Sequence, residues 1–329
     1  LRVRPKQIRC ALASATTLLC LAGCGSRQAP NSGAPQAHRA VAPGASNVDA
    51  LDAIARAKRP YVIALVVRRS DAGDPFVASV ERAFQDSARE IGATPRIVTI
   101  DTPRAPSIAY PLPTDSKVDA ACELMPPGQD AWAGAGRRLF VHALAGAAPP
   151  GSNASSHSGY IGSSQVEIGR AAAAALASAG SPSGRLAILS DLRPGCDTCE
   201  PAFRNAFKGS VTFAPTVWNV GDAGAARRAA SALLAKYPDL GGIFCTRDAL
   251  ALGAADAVDS AGSRGRVRIV GVDGIAAARG AIDRGRMYAT VAQQTDFIGK
   301  YAARAAVALL DGNLDHFDID APVVIYKKR

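Results

Sequence analysis

From residue 61 onward, short apolar, β-branched runs alternate with longer stretches in which apolar positions recur every three or four residues. The first pattern predicts buried strands and the second predicts amphipathic helices. Strands are expected at 61–67, 96–100, 184–190, 216–220, 242–245, 267–272 and 287–292, with helices at 77–90, around Phe203 and Phe207, at 223–236 and at 248–260. A strand-helix alternation of this kind implies parallel sheets covered by helices, an α/β fold. The segment 267–312 is the clearest case: Asp273-Gly274 closes one strand, Gly285 stops the following helix and Gln293-Gln294 closes the next strand. Thr295 is then expected to cap a helix with the apolar stripe Phe297, Tyr301, Ala305 and Leu309, ended by Gly312. Small ligands bind outside the carboxyl ends of parallel strands, where helix N-termini and loop backbone converge. That rule makes Asp273 and Gln293 candidate ligand contacts. The region 101–158 is rich in Pro, Gly, Ala and Ser, offers only weak strands at 108–110 and 139–142, and reads as a partly missing repeat.

Composition widens this picture little. At 329 residues, 48% hydrophobic and 20% charged, the chain has ample core for one large or two medium domains. Aromatic residues make up only 5%, so any stacking platform is small. The formal charge is +10; Arg2, Arg4, Lys6 and Arg9 supply four, leaving +6 (34 minus 28) without them. No Lys/Arg run is interleaved with aromatics, so nucleic acid is not an expected partner. No Gly-x-Ser-x-Gly elbow, phosphate-binding Gly-Lys-Ser/Thr loop or His-Glu-x-x-His is present, so neither an enzyme nor a cofactor is expected. Of the four histidines only His142, at the end of a weak strand, is a candidate for a ligand cleft.

The N-terminus carries its own signal. A basic start leads into the apolar run 10–21 and the box Leu21-Ala22-Gly23-Cys24, a run too short for a permanent membrane span. It resembles a bacterial lipoprotein signal, which implies cleavage before Cys24 and acylation of its thiol. The expected location is the periplasm or cell envelope, with the chain held to a membrane by lipid. Residues 25–46 are expected to form a disordered tether and 47–58 a short helical lead-in. An oxidising compartment favours cysteine pairing, and Cys196 and Cys199 stand in a Cys-x-x-Cys spacing that also suits a redox or metal role. No second Cys-x-x-Cys or helical His pair completes a zinc site, so no metal is expected.

Several motifs resemble one family in that family's order. ALVVRRSDAGDPFVASVERAF (64–84) looks like its first strand, Asn-Pro-Phe loop and first helix, and YIGSSQVEIGRAAAAAL (160–176) looks like its first interlobe crossing. YPDLGGIFCTRDALALGAADAV (237–258), VGVDG and TVAQQ follow in place. The family is the type I periplasmic binding proteins, the ribose- and galactose-binding group that delivers sugars to ABC transporters and shares its fold with lactose-repressor-like regulators. The resemblance covers roughly residues 60–329. It implies two doubly wound parallel-sheet lobes joined by a three-segment hinge, with lobes at 60–160 plus 294–322 and at 161–293 plus 323–329. A signal-like stretch and tether stand where a regulator carries its helix-turn-helix.

By the same resemblance Asp74 and Phe76 take the place of a pocket Asn and its neighbouring aromatic, while Asp273 and Gln293 match the pocket acid and amide. Arg247 stands where the family has a pocket Asn, Asp197 and Cys199 stand near its usual second-lobe Arg, and the acid expected after 139–142 is missing. Inward-facing Arg247 with Arg68 or Arg69 would favour an anionic ligand, since guanidinium forks match carboxylate and phosphate. The implied strand order sets the ends of 184–190 and 242–245 side by side, so a disulfide from Cys245 to Cys196 or Cys199 is a further expectation. The implied function is a monomeric solute-binding protein that closes on a sugar-like ligand and hands it to an ABC transporter permease. A sensory role feeding a membrane kinase or chemoreceptor, and a redox or metal-handling role for Cys196 and Cys199, are the alternatives.

Overall fold

The computed structural model describes residues 47–101, 118–124, 139–143, 159–178, 184–191, 198–314 and 317–328. The tether, Cys24, Cys196 and the weak strand at 108–110 therefore lie outside the described residues. After a short helix α1 (Asn47–Asp52), the run behind Tyr61 forms β1 (Val62–Arg68). A single 3-10 turn at Arg69–Asp71 leads to α2 (Pro75–Glu90). Asp74 caps α2 by accepting from the amides of Phe76 and Val77, and Pro75 begins it with a pre-set backbone. Strands β2 (Thr94–Ile100), β3 (Ala120–Glu123), β4 (Leu139–Ala143) and β5 (Gly159–Gly162) complete the first run.

The second run comprises α3 (Gln165–Ala177), β6 (Arg185–Leu189), α4 (Cys199–Ala206), β7 (Thr212–Phe213) and α5 (Ala223–Lys236). It continues through β8 (Leu240–Cys245), α6 (Asp248–Ser260), β9 (Arg268–Asp273), α7 (Ala276–Asp283) and β10 (Ala289–Gln293). Helix α8 (Thr295–Leu310) and strands β11 (Phe317–Asp320) and β12 (Val323–Lys327) end the chain. Thr295 is the first residue of α8; the capping position is Gln294, and no side chain caps it.

These strands form two six-stranded sheets, ordered β11-β5-β4-β3-β1-β2 and β12-β10-β9-β8-β6-β7. All pairings are parallel except β10 with the edge strand β12. The chain passes between the sheets after β5, after β10 and after β11, so each lobe is completed by a segment distant in sequence. Helix α8 belongs to the first lobe: Ile298, Tyr301, Ala305 and Leu309 are buried in the same core as Phe84 and Leu65. In the second sheet alternate residues serve opposite faces, with Ile243 and Cys245 in one core and Phe244 in the other. The expected strand at 216–220 is replaced by β7 and a single bridge from Val217 to Leu189. Among the described residues no helix is long and apolar enough to cross a membrane.

Arg304 ties the lead-in to the first lobe. Only 5% exposed, it donates to the carbonyls of Leu51 (3.1 Å) and Ile54 (2.9 Å) and to Glu90 Oε2 (3.0 Å), joining α1 and α2 to α8. Replacing it with an apolar chain of similar length removes the donor to the Ile54 carbonyl and leaves the Leu51 carbonyl only the Ile54 amide. Arg304→Met is therefore expected to lower unfolding stability by about 1–3 kcal/mol in urea denaturation, with the m-value unchanged.

Candidate functional site

The site is built where β6, β8 and β9 end, and it begins with a buried acid. Asp248, fully buried at the start of α6, accepts from the amides of Gly274 (2.7 Å) and Ile275 (2.9 Å) through one oxygen and from the Thr290 hydroxyl (2.8 Å) through the other. Gly271 makes room for it, since a Cβ there would lie 2.2 Å from Asp248 Oδ1. Held by those amides, the chain leaves β9 through two positive φ values, 111° at Asp273 and 76° at Gly274. A positive φ is uncommon for a residue with a side chain and persists only where neighbours fix it. The turn leaves the Asp273 carboxylate at the strand end, where Gln293 Nε2 donates to it at 3.1 Å.

Arg247 reaches into the middle of this arrangement. Its Nε lies 3.9 Å from Asp273 Oδ2 and its Nη1 lies 3.9 Å from Asp191 Oδ2, both in the second lobe. Its Nη2 contacts Asp74 Oδ2 at the head of α2 in the first lobe. Asp191 is fixed by Thr246, whose hydroxyl donates to Asp191 Oδ1 at 2.8 Å. On the first-lobe side Arg68 pairs with Asp71, Nη2 to Oδ2 at 2.6 Å.

Of the expected site residues, the structure therefore brings together Asp74, Arg247, Asp273 and Gln293. Phe76 is buried with the first-lobe core. Arg69 turns outward, 64% exposed, to pair with Asp101. His142 lies in β4, in register with Glu123 and Tyr160. Asp191 was not among the candidates, although it lies two residues beyond the end of β6 while Asp273 ends β9, and Asp71 was also missed. The disulfide expected at Cys245 does not form: Cys245 is a free, buried thiol, pushed up in pKa by burial and by Asp248. Cys245 and Cys199 face opposite sides of the second sheet, and the Cys199 thiol donates to Gln165 Oε1.

Charge decides what the cleft favours. Among the described residues, Arg68 and Arg247 face Asp71, Asp74, Asp191 and Asp273, four acids against two guanidinium groups. Burial opposes the charge on Arg247, but Asp273, Asp74, Asp191 and Asp71 together raise its pKa. Burial and the nearby carboxylates, opposed by Arg247, push the Asp273 pKa well up. Among the described residues this surplus of acceptors runs against an anionic ligand, although Arg247 itself faces into the arrangement as expected. Among the described residues no group of three or more His, Cys, Asp or Glu is placed to hold a metal ion.

Two parallel-sheet lobes crossed three times, with polar strand ends facing one another, define the two-lobed fold of the type I binding proteins. The chain belongs to the periplasmic binding protein domain family, whose model matches residues 145–314. Among curated relatives, the D-allose-binding periplasmic protein of Escherichia coli (strain K12) is 44% identical over 70 residues, 21% of this chain and 22% of that protein. The ribose import binding protein RbsB of Bacillus subtilis (strain 168) is 36% identical over 97 residues, 30% of this chain and 31% of that one. The matched segments thus span under a third of these relatives' lengths. Among solved structures, a solute-binding protein from Actinobacillus succinogenes 130z with bound D-allose gives a TM-score of 0.67 at 20% identity, over 82% of this chain and 98% of that one. A periplasmic ribose ABC transporter protein from Conexibacter woesei DSM 14684 gives 0.66 at 18%, over 83% and 93%. At these identities the structural likeness establishes the fold.

The buried acid leaves a pH signature. Burial raises Asp248 from an ordinary 3.8 to about 7, so the folded chain holds that proton more tightly than the unfolded one. Its contribution to stability is complete below about pH 3.8 and is lost as pH climbs through about 7, with Asp273 acting in the same direction. In chemical denaturation from pH 4 to 7.5, Asp248→Asn should flatten the decline by up to about 1.4 kcal/mol per pH unit at its steepest. An unchanged slope would show that Asp248 stays ionised throughout.

Proposed function

We propose that the chain is an exported solute-binding protein that captures a small, neutral, hydroxyl-rich molecule of the sugar class and delivers it to an ABC transporter permease. The observation that carries this reading is the convergence of Asp74 from one lobe with Asp191, Asp273 and Gln293 from the other. Carboxylates accept from adjacent hydroxyls and an amide both donates and accepts, which satisfies a buried polyol without leaving unpaired groups. A neutral ligand suits the cleft because an anion would add to its surplus of acid. The relatives named for allose and ribose binding support the same class. Two lobes joined by three crossing segments suit hinge closure around such a ligand.

On this reading the protein works in the periplasm as a monomer and catalyses nothing. Acylated Cys24 holds it to a membrane, and the Gly/Pro/Ala/Ser-rich stretch at 25–46 spaces it from the surface. Cys24→Ser should then abolish incorporation of a labelled fatty acid in expressing bacteria, leaving the chain soluble after cell fractionation.

A thermal-shift panel of neutral aldoses and ketoses, sugar acids and sugar phosphates tests the ligand class, because a ligand bound only to the folded form raises the melting temperature. Neutral sugars should shift it and the anionic members should not. Asp191→Ala and Asp273→Ala should each weaken binding of the best sugar by about ten- to a hundredfold, equivalent to about 1.4–2.8 kcal/mol by calorimetry. A panel that leaves the melting temperature unmoved would remove the sugar class.

A further inference from the structure

We propose that Arg247 is an internal occupant of the cleft: without ligand, its guanidinium links Asp74 of the first lobe to Asp191 and Asp273 of the second and holds the lobes together. The geometry is that of a bridging ligand. One planar group presents Nη2 to Asp74 across the cleft while Nη1 and Nε face Asp191 and Asp273, each at 3.9 Å. A guanidinium is charged at every accessible pH and directs several donors from one rigid fork, so a single side chain can serve three acids. The Arg247 side chain is 29% exposed and that of Asp273 10%, so these charges are less screened than surface pairs.

The division of labour at Asp74 makes the contact reversible. Its Oδ1 caps α2 by accepting from Phe76 and Val77, whereas Oδ2 alone meets Arg247. Releasing the guanidinium therefore leaves the helix cap in place and frees one carboxylate oxygen toward the cleft. Arg247 is likewise dispensable to α6: it occupies the capping position but its side chain makes no capping bond. An ion pair present in only one of two hinged arrangements shifts their populations. On the reading of the cleft as a polyol site, a ligand hydroxyl reaching Asp74 takes over the oxygen that Arg247 vacates. Arg247 is thus a positioning residue that competes for the ligand's acceptor.

Small-angle X-ray scattering of the ligand-free full chain tests this without knowing the ligand. Wild type at low salt should give the smallest radius of gyration. Raising sodium chloride should shift it upward by screening the pair. Arg247→Gln, and separately Asp74→Asn, should give the larger radius already at low salt and lose the salt response. Asn is as good a helix cap as Asp, so the second variant removes the charge and keeps the cap. Circular dichroism establishes that both are folded, and the salt series on wild type stands without either variant. Superimposable scattering from all three proteins at every salt concentration overturns the proposal. A sugar panel that fails to shift the melting temperature removes the transport reading and leaves this one standing. Coincident scattering removes this one whatever the panel gives.

Discussion

A carboxylate with no exposure to solvent holds the binding face of the second lobe in shape. Asp248 accepts two backbone amides of the β9–α7 turn and the hydroxyl of Thr290 on β10, so one side chain joins α6, β9, α7 and β10. Burying an acid is unfavourable unless its hydrogen bonds are made, and here three donors are supplied. The positive φ of Asp273 is the local consequence: the amides of Gly274 and Ile275 can reach one oxygen of Asp248 only if the chain turns sharply at the strand end. Gly271 makes room for the other oxygen, Oδ1, which accepts from Thr290 and would lie 2.2 Å from a Cβ at 271.

From that anchor the cleft follows in order. The turn holds Asp273, Asp273 accepts from Gln293, and Gln293 is the last residue of β10 before the chain crosses to the first lobe in α8. A change at Asp273 is therefore one side-chain hydrogen bond from a segment that crosses between the lobes. On the first-lobe side the position of Asp74 is set by its work as a helix cap, so its second oxygen points where the helix start dictates. Rigid secondary structure fixes both halves of the site.

Strands β6, β8, β9 and β10 were legible as short apolar runs between turn residues and fall within two residues of the expected ranges, whereas β7, β11 and β12 were not among the expected strands. Strands β3 and β5 were not. Ala120–Glu123 lacks β-branched residues and Gly159–Gly162 has glycine at both ends; their strand character comes from pairing with β1, β4 and β11. Tertiary context, not propensity, decides such segments. The strand-end rule found Asp273 and Gln293, and applied evenly it reaches Asp191 at the end of β6. The family pattern drew attention to the helix-side positions Asp197 and Cys199 instead. The directions of the arginines were not legible at all. Arg68 and Arg69 are neighbours, yet β1 ends at Arg68 and the 3-10 turn begins at Arg69, and the two side chains find Asp71 and Asp101 respectively.

The balance of charge in the cleft runs against that of the chain. A formal +10 overall coexists with a cleft whose described residues include Asp71, Asp74, Asp191 and Asp273 facing Arg68 and Arg247. In this partly dry site burial, then the charge of Asp248 and the smaller contributions of Asp74 and Asp191, raise the pKa of Asp273. Arg247 opposes that shift from a position that faces three of the acids at once. The same guanidinium that makes an acid-rich cleft tolerable in the unliganded chain thus also spans its two walls. On the proposed reading, a polyol that enters has to offer hydroxyl donors to those acids while leaving Arg247 an acceptor elsewhere in the site. Such a demand selects for several hydroxyls on a rigid frame, held at the spacing of the strand ends.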